Sequence, residues 1–133
     1  MADLTITVAN IDWVSGPKKT LDAAETVTAG DCIYTVTTTT CGVATNNDAT
    51  KDTVLGIALN DATTGHPVVI ALDTAVVGFG AILTVGIQYM LSVTGAISAS
   101  GDSATSDYCS FLGHAITTSN LELHIRNTSL QQG

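Results

Sequence analysis

From Ala24 onward the chain runs twice through one pattern of strand-length segments, and that repetition limits the folds open to it. Thr28-Ala29-Gly30-Asp31-Cys32-Ile33-Tyr34 aligns with Thr84-Val85-Gly86-Ile87-Gln88-Tyr89-Met90 at an offset of 56 residues. Val54-Leu55-Gly56-Ile57-Ala58-Leu59 aligns with Phe111-Leu112-Gly113-His114-Ala115-Ile116 at an offset of 57. Gly42-Val43-Ala44 aligns with Ala96-Ile97-Ser98, and Val68-Val69-Ile70-Ala71-Leu72 with Leu121-Glu122-Leu123-His124-Ile125 at an offset of 53. Each half reads as about four strands: a turn and strand, a short return strand, an apolar strand with a central glycine, and a closing strand. Two such halves bury one face of each strand by packing as a sandwich or closing as a small barrel. The expected fold is therefore all-β, a compact β-sandwich or small β-barrel of two similar halves with about eight short strands. Period-two alternation puts Leu55, Ile57 and Leu59 on one face, and Leu121, Leu123 and Ile125 on another, with Glu122 and His124 outward. His114 takes the place of Ile57 and is expected to point inward, while Gly56 and Gly113 mark a bend or a close backbone approach.

Composition agrees with strands and excludes several function classes. Hydrophobic residues make up 45% and charged residues only 12%, too few Glu, Lys and Arg for long solvated helices. The abundant Thr and Val stiffen at χ1 and suit pleated strands, whereas Gly, Asn and Asp supply turns. Twelve acids against four bases leave a net charge of −8, which excludes a basic patch for nucleic-acid phosphates. Residues 1–20 read as an extended N-terminal arm ahead of a single domain at 21–133. In the arm Leu4, Ile6 and Val8 alternate with Thr5, Thr7 and Ala9; Ile11 and the sole tryptophan, Trp13, follow, then Ser15-Gly16-Pro17 and the basic pair Lys18-Lys19. The N-terminus carries neither a basic n-region nor an apolar h-region, so the expected site of synthesis is a cytoplasm. Cys32, Cys41 and Cys109 have no zinc-ribbon or redox spacing and read as reduced, small hydrophobes.

A search for chemistry finds no Gly-x-Ser-x-Gly elbow, no phosphate-cradling loop and no His-Glu-x-x-His pair. Asp31, Asp48, Asp52, Asp61, Asp73, Asp102 and Asp107 are spread over connections, where Asx turns explain them, and they lack the rhythm of a calcium loop. His66 precedes Pro67 in a turn. The expectation is a protein with no catalytic residues, cofactor or metal.

Six segments in order carry a resemblance. Ala24-Glu25-Thr26-Val27-Thr28-Ala29-Gly30-Asp31-Cys32-Ile33-Tyr34 resembles the "AGExITAGDxVY" opening of small bacteriophage head-decoration, or capsid cement, proteins. Val54 to Asn60 is similar to their "VxGIALN" strand, and Thr64-Gly65-His66-Pro67-Val68 to their "AGQPV" turn. Leu83 to Ser92 resembles "xxxGxxYxLS", Gly95 to Ser98 resembles "GGIAP", and Tyr108 to Ala115 resembles "YVxVLGVA". Cys32, Cys41, His114 and Ser98-Ala99 depart from the pattern. The resemblance implies a structural virion protein on the outer surface of the mature capsid. There it would cement neighbouring capsomers through the major capsid protein, as a homotrimer or a dimer, without membrane contact. The arm supplies the expected contact residues: Leu4, Ile6, Val8, Ile11, Trp13, Lys18 and Lys19. The competing expectation is a tail-fibre, spike or other adhesion-type β-domain that meets host-surface glycans.

Overall fold

The computed structural model describes residues 10–44, 54–91, 97–99 and 108–131. Among them the Val-, Ile- and Thr-rich runs form eleven strands and no α-helix, in keeping with their β-branched side chains. In chain order these are β1 (Asp12–Ser15), β2 (Lys18–Ala23), β3 (Cys32–Thr35), β4 (Thr40–Val43), β5 (Gly56–Ala58) and β6 (Pro67–Ala71). There follow β7 (Val76–Gly78), β8 (Gln88–Leu91), β9 (Ile97–Ala99), β10 (Tyr108–Ala115) and β11 (Asn120–Gln131). The expected compact all-β fold, with a small barrel among its two halves, is what forms. Strands β2-β4-β3-β5-β6 close a small barrel, and β1-β7-β11-β10-β8-β9 form a six-stranded sheet.

The two sheets are two versions of one unit, matched hydrogen bond by hydrogen bond. The Gly30 N–H donates to the Ala58 carbonyl at 2.8 Å, and the Gly86 N–H to the Ala115 carbonyl at 3.0 Å. The Ala58 N–H returns to the Asp31 carbonyl at 2.9 Å, and the Ala115 N–H to the Ile87 carbonyl at 3.1 Å. Val27 donates to Ala62 as Leu83 does to Thr118, at 2.8 and 2.9 Å. Gly30 and Gly86 sit in the left-handed region, at φ 94° and 82°, in equivalent four-residue turns. The duplication starts earlier than Ala24. The Leu72 N–H donates to the Pro17 carbonyl as the Leu123 N–H does to Ala75, and Gly16 (φ 100°) matches Thr74 (φ 72°). The expected boundary after residue 20 therefore falls inside β2, and the Lys18–Thr20 end of the arm is barrel wall.

Hydrogen bonding also moves two of the sequence alignments by two residues. Tyr34 pairs with Gly42 and Met90 with Ser98, so Gly42 corresponds to Ser98 rather than to Ala96. Ile57 pairs with Ala71 and His114 with Glu122, so Ala71 corresponds to Glu122 rather than to His124. A slip of two keeps every side chain on its own face, which is why hydrophobic alternation does not detect it.

The units differ in closure. In the first, β2 takes β6 on one edge and β4, in parallel, on the other. In the second, β7 takes β11 on one edge, but β1 fills the other in antiparallel sense. The remaining described part of the expected arm thus completes this chain's own sheet, while Leu4, Ile6 and Val8 lie outside the described residues.

Two hydrophobic clusters hold this arrangement. Leu21, Val27, Ile33, Cys41, Val68 and Ile70 belong to the cluster inside the barrel. A larger one joins Phe79, Leu83, Tyr89, Leu91, Leu112, Leu121 and Leu123 of the second unit to Cys32, Ile57 and Ala71 of the barrel wall. Both faces of β5 are consequently buried. Among the described residues the corresponding positions of the second unit have no such covering: Gln88 is exposed and His114 and Glu122 are half-buried. The inward placement expected for His114 is thereby corrected. Its ring faces out and stacks on His124, with centroids 5.4 Å apart, because among the described residues the layer that makes Ile57 a core residue covers the first unit alone.

Gly56 and Gly113 are close backbone approaches in equivalent places. A Cβ on Gly56 would overlap the Ala71 carbonyl oxygen, and one on Gly113 the Glu122 carbonyl oxygen. Gly56→Ala is expected to destabilise the protein by about 3 kcal/mol, because backbone rather than a movable side chain must give way. Gly65→Ala, at a left-handed turn position with open space around it, is expected to cost about 1 kcal/mol. Urea unfolding of both variants checks the order, and equal losses would contradict the packing described for Gly56.

Candidate functional site

Strand β1 presents the first candidate surface. All four of its residues are exposed, and it adds to the edge of the six-stranded sheet with no layer above it among the described residues. Trp13 is 39% exposed, and its indole N–H donates to the Gly16 carbonyl at 3.3 Å. Across the Ser15-Gly16-Pro17 turn, Lys18 Nζ stands 4.0 Å from the centre of the indole ring. These two residues form a small aromatic and cationic patch on an otherwise acidic chain. The other expected contact residues part from it. Ile11 packs against the larger core. Lys19, one residue along a strand from Lys18, lines a shallow groove of about 300 Å³ with Thr35, Val36, Thr37 and Thr38.

A second concavity escaped the sequence reading. It is an open groove of about 550 Å³ between Thr26–Thr28 and the connection from β5 to β6, with Val27, Ala62 and Pro67 among its apolar lining. Polar groups there are already engaged: Asp61 Oδ1 accepts from the Ala29 N–H at 2.8 Å, and His66 Nδ1 lies 2.7 Å from Thr63 Oγ1. The signal that could have found it is a length difference. Ala62 and Val69 correspond to Thr118 and Asn120, seven steps of chain against two, so the first unit carries five additional residues here.

Asp31 accepts from the Thr28 N–H at 2.9 Å. Burial pushes its carboxyl above the usual range, the Thr28 bond opposes this, and nearby Asp61 and Glu25 add to it. Burial pushes the Cys32 thiol far up, with Asp31 adding to it, and raises Cys41 as well, so both stay protonated and inert. Among the described residues, no group of three or more His, Cys, Asp or Glu side chains is placed to hold a metal ion. His124 pairs with Glu122 on the outer sheet face, and the stacked His114–His124 rings offer no shared chelating point. No protein-family model matches the chain, and the comparison with curated proteins gives no match.

Two measurements follow from these environments. In a Cys109→Ser background, Cys32 and Cys41 are expected to resist thiol alkylation until the protein is unfolded, and labelling at the native rate of a free thiol would contradict their burial. Because the folded state holds the Asp31 proton more tightly than the unfolded chain, this group's contribution is most favourable below the ordinary carboxylate value. It declines as pH rises through the raised folded value. Asp31→Asn keeps an acceptor for the Thr28 N–H, so it is expected to raise the urea midpoint at neutral pH and to lose that advantage in acid. A lower midpoint at neutral pH would contradict the desolvation described.

Proposed function

We propose that this protein is a capsid cement protein, which binds the outside of a mature bacteriophage shell and ties neighbouring capsomers together. The observation that carries the reading is the ordered set of decoration-protein-like segments in a duplicated β-chain. The turns Thr28–Asp31 and Thr84–Ile87 and the glycine-centred strands at Gly56 and Gly113 fall at equivalent points of its two units. Such a protein stabilises the expanded shell by mass action, because it binds that form and not the one that precedes it. Bridging two capsomers means that opening the shell must also break the cement contacts. The acidic charge suits a position away from packaged DNA.

The Trp13–Lys18 patch is the proposed contact, an aromatic anchor with a cation beside it at a sheet edge. Deleting residues 12–15 would uncover β7, so the test uses point changes. In co-sedimentation with expanded shells, Trp13→Ala combined with Lys18→Ala is expected to weaken binding at least tenfold without changing the unfolding free energy by more than about 1 kcal/mol. Unchanged binding by the double variant moves the contact elsewhere. No binding of the wild-type protein to expanded shells, together with capture by host-surface glycans, would favour the adhesion reading instead.

A further inference from the structure

We propose that the open edge of β9 is the slot for an extended segment of the shell protein, which adds to the sheet as a further strand running parallel to β9. The inference rests on the cement reading and gives it a second contact. The first unit shows how the same edge looks when it is filled. There β4 pairs with β3 on one side and takes β2 in parallel on the other, Asp22 opposite Thr40 and Ala23 opposite Cys41. The Ala24 N–H donates to the Cys41 carbonyl at 2.8 Å. Beyond the end of that pairing, the Glu25 carboxylate accepts from the Val43 N–H at 3.2 Å.

In the second unit the strand that would do this turns away. Lys18 lies opposite Ala71 as Val76 lies opposite Glu122, so Asp22 and Ala23 correspond to Gly80 and Ala81. Gly80 is in the left-handed region at φ 71°, and a Cβ there would come within 2.8 Å of the Asn10 amide nitrogen. The chain therefore bends where β2 continues as a strand, and β1 occupies the edge of β7. Among the described residues β9 keeps β8 as its single neighbour. Ser98 matches Gly42, so Ile97 and Ala99 stand where Cys41 and Val43 do, with their backbone groups directed away from β8. Residues 79–83 hold no carboxylate to take the part of Glu25.

A free strand edge is a template for another chain unless charge, proline or a bulge blunts it. At the other edge of the sheet, β1 begins with Asp12 and carries a bulge between Trp13 and Ser15. Residues 91–101, around β9, contain neither a charged residue nor a proline. The uncharged surroundings and the parallel direction describe the occupant: an extended, uncharged segment held by main-chain hydrogen bonds. Tying two capsomers together takes two contacts. The Trp13–Lys18 patch supplies one at the β1 edge, and β9 supplies the other.

Hydrogen–deuterium exchange of the peptide that carries β9 is measured on the full chain, free and bound to expanded shells. Co-sedimentation with those shells is compared for wild type, Ala99→Pro and Ala99→Ser. Proline removes the outward N–H and leaves Ser98 its pairing with β8, whereas serine keeps both. The expected result is rapid exchange of the outward amides in the free chain and at least tenfold slower exchange on the shell. Binding is expected to weaken at least tenfold in Ala99→Pro and to hold in Ala99→Ser, with both urea midpoints at the wild-type value. Should Ala99→Pro fail to fold, the wild-type exchange comparison decides alone. Shell binding with β9 exchange unchanged, or with folded Ala99→Pro bound as tightly as wild type, overturns the proposal and leaves the cement reading standing. A wild type that does not bind shells overturns both. Protection of the outward amides in the free chain also overturns the proposal: independent of concentration, it assigns the edge to another segment of this chain, and growing with concentration, to a second copy.

Discussion

The rest of the structure depends on one shared burial: the outside of the barrel wall, at Cys32, Ile57 and Ala71, lies in the same cluster as the second unit's core. A three-residue strand such as β5 has little to hold it by hydrogen bonding alone. With one face turned into the barrel and the other against Leu112, Leu121 and their neighbours, it becomes fully buried. The shared burial is separate from the close approach at Gly56, which Gly113 repeats over the Glu122 carbonyl in the other unit. The burial explains why a duplicated sequence does not give a symmetrical molecule. Only one unit can present its outer face inward, so the matching face of the other is written in polar residues.

Much of this was legible in the sequence, and the remainder was not for definable reasons. The strands, the two-unit organisation and the close approach at Gly56 and Gly113 follow from alternation, repeated turns and isolated glycines. Closure of one unit and opening of the other depend on what fills the edge of β7, and β1 does so from outside the recognised repeat. Residues 16–23 escaped the repeat because Gly16 and Thr74, or Leu21 and Phe79, share a structural position without sharing chemistry. His114 illustrates the general difficulty. Its partner residue Ile57 is buried by a different layer of the protein, and no local pattern carries that information.

Of the candidate contact residues, the fold unites Trp13 with Lys18 and separates both from Ile11 and Lys19. Adjacency in sequence argued for a basic pair, but neighbours on a strand point to opposite sides. The groove beside Asp61 was legible only as a difference in length between two connections, which becomes visible once the register is known.

The most direct measurement is a cryo-electron microscopy map of phage particles assembled in the presence of this protein. Capsid cementing predicts density for its two-unit fold repeated over the outer surface, at junctions between capsomers. A shell without that density, or copies confined to the tail, would contradict it.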